Sequence, residues 1–220
     1  MKGGLRRFVG SAASPPQAAP GEQQPGERQP GERCEMCAVD IGEWHGHVVD
    51  IEHRGLMCTC RPCAMLFTQE GAAGGRYKTV PDRYRYAANV PLAAATWDSI
   101  EIPVATAFFF ANSVLERTVA FYPSPAGATE SLLSLEAWTD LLAALPEFGD
   151  LRPDVEALLV YKGDNGFEFF AVPIDACYQL VGLVRMHWQG FDGGEQAWVE
   201  IHKFFAGLRE RSEQVAISND

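Results

Sequence analysis

The chain has 220 residues, 47% of them hydrophobic and 11% aromatic, enough for one ordinary domain plus a small module and too apolar for disorder throughout. No run of eighteen apolar residues occurs, so a membrane-spanning helix is excluded. The net charge of −11 is uneven: residues 1–87 carry 11 Lys+Arg against 10 Asp+Glu (+1), and residues 88–220 carry 7 against 19 (−12), so the rear of the chain repels phosphate backbones and general nucleic-acid binding is disfavoured.

Met1 to Pro20 lacks the continuous apolar stretch of a secretory or twin-arginine signal, and a cytoplasmic location is expected. Residues 1–33 are expected to form a disordered tail. The stretch Pro20–Arg33 reads PGEQQ-PGERQ-PGER and has no apolar side chain to bury. Residues 34–75 form a cysteine-rich module, with Gly74 and Gly75 as a joint. Residues 76–96 read as a connector in which Arg76, Lys78, Arg83 and Arg85 alternate with Tyr77, Tyr84 and Tyr86. Such interleaving can bind single-stranded nucleic acid, although the acidic neighbour favours tyrosines packed on the next domain.

Residues 97–215 carry the pattern of an acidic α+β domain. Val104–Ala111 and Thr118–Tyr122 are predicted strands around a turn at Asn112–Arg117. A helix follows, capped by Ser134 and striped by Leu135, Trp138, Leu142 and Leu145, and Pro146 ends it. Ala157–Lys162 and Phe167–Val172 flank Gly163-Asp164-Asn165-Gly166, a hairpin signal. A helix capped by Asp175 comes next. The last helix runs from about Glu195 to Glu213, with Trp198, Ile201, Phe205 and Leu208 on one face. The expected fold is α+β: a zinc-ribbon-like metal knuckle module, then ββα-ββα-α with a mainly antiparallel four-stranded sheet and helices on one face.

Five of the six cysteines lie between Cys34 and Cys63. Cys34-Glu35-Met36-Cys37 and Cys60-Arg61-Pro62-Cys63 are two C-x-x-C turns with 22 residues between them. Each turn converges two thiolates on one ion, and the pair completes a tetrahedral four-sulfur site, most simply structural zinc. Cys58 or His47 can substitute for one of these ligands, and His45 and His53 lie close in sequence. The same cage can hold iron, as in a rubredoxin-like electron carrier, or an iron–sulfur cluster. Against the rubredoxin-like option, Ala38 and Ala64 stand where such knuckles commonly place glycine. Cys177 shares a helical stripe with Leu180, Val181, Val184 and Trp188 and reads as core. His187 and His202 read as packing residues. The segment Tyr122–Ser131 reads as a loop able to line a pocket, with Ser124 and Ser131 as weak nucleophile candidates.

The chain resembles an uncharacterised family of actinobacterial proteins associated with nickel–iron hydrogenase operons. The resemblance rests on the cysteine block from Cys34 to Phe67, on Gly75-Arg-Tyr and Val80-Pro-Asp-Arg83, and on Ala120–Ser131, Pro153–Leu159 and Val172–Tyr178. It implies a cellular context, with a hydrogenase subunit or maturation factor as partner, and not a mechanism. Three functions therefore stand: a non-catalytic metal-binding accessory or adaptor protein, an iron-bearing electron carrier, and an enzyme with a pocket near residues 122–131.

Overall fold

The computed structural model describes residues 32–90, 97–98, 102, 104–131, 142, 145–163 and 166–217. The tail expected over residues 1–33 and the helix expected after Ser134 lie almost wholly outside these. Two sheets organise the described chain. The smaller has the order β2-β1-β3, built from β1 (Gly46–Asp50), β2 (Gly55–Thr59) and β3 (Tyr77–Thr79), all antiparallel. Its β1–β2 hairpin is followed at once by a short helix, α1 (Arg61–Met65).

The larger sheet corrects the four-stranded expectation, because it has seven strands in the order β10-β4-β9-β8-β5-β6-β7. Its centre is the expected set: β5 (Thr106–Asn112), β6 (Arg117–Ser124), β8 (Glu156–Gly163) and β9 (Gly166–Pro173). Three further strands extend it. β4 (Arg85–Val90), within the stretch read as a connector, pairs with β9, and β10 (Glu213–Gln214) adds in parallel to β4. β7 (Gly127–Ser131) pairs with β6, so Tyr122–Ser131 is a hairpin and not a loop. Pro123 is tolerated in β6 because pairing with β5 stops at Phe121. Beyond that point the proline's missing N–H interrupts no ladder to β5.

Both faces of the central strands are buried, as the period-2 side-chain alternation requires for a sheet with a core on each side. On one face Phe108, Leu159 and Phe170 pack with α2 (Ile174–His187) and α3 (Gly194–Arg211) through Cys177, Leu180, Ile201, Phe205 and Leu208. On the other, Phe109, Leu158, Val160 and Phe169 meet Trp97, Leu142, Leu145 and Phe148. Cys177 is fully buried in the first of these layers, as expected, and burial pushes its thiol well above its ordinary range. Two helix details differ from the sequence reading. Asp175 sits inside the first turn of α2 after an N-cap at Pro173. Trp198 is 38% exposed, while Phe204 takes the buried place beside Phe205. No described helix is long and apolar enough to cross a membrane.

Candidate metal centre

Three local structures bring Cys34, Cys37, Cys60 and Cys63 together. The first pair sits in a turn closed by the Arg33–Asp40 bridge, in which Cys34 N donates to Val39 O at 2.9 Å and Ala38 N donates to Cys34 O at 2.7 Å. Ala38 closes that turn with φ of 60°, a left-handed conformation that glycine adopts more readily. The β1–β2 hairpin then carries the chain back. Glu35 N donates to Cys58 O at 2.9 Å, and the Glu35 carboxylate accepts from Cys58 N, which fixes the first turn against β2. The second pair differs from the zinc-ribbon expectation of two hairpin knuckles. Cys60 is the N-cap of α1 and Cys63 lies within that helix, with Pro62 suited to its first turn.

The ligand atoms of these four cysteines all lie within 4.8 Å of one another. Cys37 Sγ and Cys60 Sγ are 3.7 Å apart. That matches the edge, about 3.8 Å, of a tetrahedron whose corners lie ~2.3 Å from a central zinc ion. The distance is far beyond a sulfur–sulfur bond, and all six cysteines are free. The thiols are also electrostatically uneven. Burial raises Cys34, but the N–H groups of Cys60, Cys37 and Met36 outweigh it and bring the thiol down to about 6. Cys63 is pushed up to about 12 by hydrogen bonding to Cys60 and Cys37, then by burial. Four sulfurs this close cannot all ionise without a cation between them, so the donor set fits a metal ion.

Cys58 and His47 do not join these four sulfurs. They group instead with His45, at ligand distances within 4.8 Å. Burial, followed by hydrogen bonding to Glu32 and the charges of Glu32 and Glu35, pushes the Cys58 thiol up to about 12. A third group, Asp50, Glu52 and His53, is also within 4.8 Å. There Arg76 already supplies the positive charge, with Nη2 2.7 Å from Asp50 Oδ2.

A cleft of about 140 Å³ lies in this part of the fold, but of residues 122–131 only Glu130 lines it. It is lined mainly by apolar side chains, among them Val49, Leu56, Phe110, Val119 and Phe121. Its carboxylates are engaged elsewhere: Asp154 accepts from Lys78 Nζ at 2.7 Å and Ser113 N at 2.8 Å, and Glu130 pairs with Arg117 at 2.8 Å. Ser124 is occupied by its own turn, with Oγ 3.0 Å from Gly127 O and 3.0 Å from Thr129 Oγ1. Ser131 ends the edge strand β7. His187 lies in the last turn of α2, and His202 is exposed beside Trp198.

No curated protein and no solved structure matches the chain. One family does, over residues 33–212, a span that opens one residue before Cys34 and closes just after α3. The chain therefore belongs to DUF5947, a family of unknown function.

Proposed function

We propose that Cys34, Cys37, Cys60 and Cys63 hold one structural zinc ion, and that the protein is a non-catalytic accessory or adaptor. The observation that carries the metal assignment is the sulfur cluster itself, with its 3.7 Å Cys37–Cys60 edge and no disulfide. Four protein ligands close a zinc ion's coordination shell and leave no position for substrate, which supports a structural role over a catalytic one. The module presents Val39, Trp44, Met65 and Leu66 to solvent, at 51%, 90%, 62% and 66% exposure. Large apolar side chains so exposed support a protein partner. The more specific partner, a nickel–iron hydrogenase subunit or maturation factor in an actinobacterium, is supported by the sequence resemblance alone, and a cytoplasmic location by the lack of a signal-like apolar stretch in residues 1–20.

Without an ion between them four sulfurs this close cannot all ionise, so metal binding and folding of the module are coupled. Strong chelation, or Cys34→Ser or Cys63→Ser, is expected to abolish hydrogen-exchange protection in β1, β2 and α1. A module that stays protected would refute a structural site. Iron in the same cage, the electron-carrier reading, would make the protein red once oxidised to the ferric state, where zinc leaves it colourless in either condition.

A further inference from the structure

Cys58 and His47 face each other at paired positions of β2 and β1, and His45 lies two residues before His47. One ring nitrogen of each histidine and the Cys58 sulfur lie within 4.8 Å of one another. Both Nδ1 atoms are already committed. His45 Nδ1 is 2.8 Å from the Gly42 carbonyl, and His47 Nδ1 is 2.7 Å from Asp175 Oδ2. An oxygen acceptor at each Nδ1 makes that nitrogen the donor, so Nε2 is the ring nitrogen left to a ligand. The His45 side chain is only 9% exposed, and its Nε2 is buried without a hydrogen-bond partner among the described residues. A buried polar atom of this kind is ordinarily completed by a water or an ion. A carbonyl or carboxylate holding the far nitrogen is also the usual support for a metal-ligating histidine.

The geometry points to a second metal site, formed by His45, His47 and Cys58, for a borderline divalent cation such as zinc or cobalt. Two imidazoles and a thiolate select such ions over magnesium or calcium. Three protein ligands leave one position open, in contrast to the closed four-sulfur centre. Glu32 lies near the first of these histidines, its Oε2 3.9 Å from His45 Nδ1. Ion binding releases the Cys58 thiol proton to solvent and changes no other bond. Asp175 is a positioning residue: one oxygen holds His47, and the other accepts from Ala176 N at 2.8 Å in the first turn of α2. An ion at this site would therefore link the small sheet to α2. The proposal shares no residue with the four-cysteine centre and does not rest on that reading.

The test is metal stoichiometry of the full chain titrated with zinc and, separately, cobalt. Wild type is expected to bind two ions, one of them labile to mild chelation. His45→Ala and Cys58→Ser should each bind one, with unchanged thermal unfolding of the large sheet. Asp175→Asn should keep both ions but weaken the labile one by roughly 10- to 100-fold. In cobalt-loaded protein the labile ion should show charge transfer from one thiolate and lose it in Cys58→Ser. Wild type saturating at one ion that Cys58→Ser retains would overturn the second site while leaving the four-cysteine centre standing. A single ion lost in both variants would support the second site and overturn the four-cysteine reading. Two ions retained in both variants would overturn the proposal.

Discussion

Asp50 is the charged residue on which the small sheet closes. It is buried at the end of β1 and receives Arg76 Nε at 3.1 Å and Nη2 at 2.7 Å, with His53 Nδ1 2.9 Å away. The Arg76 guanidinium holds the Asp50 carboxyl well below the ordinary carboxylate range, against burial and with help from His53. A depressed folded pKa means that the ionised carboxylate stabilises the fold fully above the unfolded value of ~3.9. The contribution is then lost as pH falls through the lower folded value. Asp50→Asn is accordingly expected to be less stable than wild type at neutral pH, with the gap narrowing below about pH 4. Urea unfolding at the two pH values checks this, and a constant gap would contradict it. The neighbouring basic side chains make the same point about legibility. Arg76, Lys78, Arg83 and Arg85 read in sequence as an alternating cationic run open to nucleic acid. In the fold they pair with Asp50, Asp154, Glu156 and Asp150. Partners 26 to 76 residues away leave no local trace, so the run could not be recognised as a set of internal ion pairs.

The elements that could be read early are those whose signals are local. The β8–β9 hairpin closes where Gly163 pairs with Gly166, and α3 begins one residue from its expected start. The first C-x-x-C was legible as a turn. The helical start of the second was not, although Pro62 two residues after Cys60 was the available signal. The strands β4, β7 and β10 went unread because each is held by pairing more than by its own pattern. β10 is two residues long and exists only against Arg85 and Tyr86 of β4. The link between α2 and α3 supplies a prediction at this scale. Gly193 caps α3 at φ of 90°, and a Cβ there would stand 2.9 Å from the Trp188 ring. Gly193→Ala should destabilise the protein by about 1–2 kcal/mol, combining left-handed strain with a clash. Gly182, in the middle of α2 with nothing within 4 Å of its added Cβ, is the control. Gly182→Ala should instead stabilise by about 0.5–1 kcal/mol. Thermal unfolding of both variants separates the two effects, and equal shifts would count against the assigned backbone conformation.

Across the whole chain, the large sheet is fastened to the segment that leads into it by a buried ion pair. Arg83 Nε and Nη2 each donate to Glu156 at 2.8 Å, and Arg83 Nη1 reaches Asp150 at 2.8 Å. Glu156 is 1% exposed and also accepts from Arg152 N at 2.9 Å. Removing the cation would leave a buried carboxylate facing only backbone N–H. Arg83→Leu is expected to cost about 2–3 kcal/mol, below the figure for a fully buried pair because the guanidinium is one-third exposed. Denaturant unfolding measures it, and a loss under about 0.5 kcal/mol would place the pair among surface bridges. At this scale composition and charge alone divide the chain into a cysteine-bearing front and an acidic rear, and the large sheet crosses that division by taking β4 from the stretch read as a connector. The two other unread strands of that sheet, β7 and β10, come from the rear itself.

The central claim, zinc held by Cys34, Cys37, Cys60 and Cys63, is tested most directly by zinc-edge X-ray absorption on the Cys58→Ser chain, which removes the other thiol near the site. Four sulfurs at ~2.3 Å are predicted. A shell containing nitrogen or oxygen, or a chain that carries no zinc, would contradict the assignment.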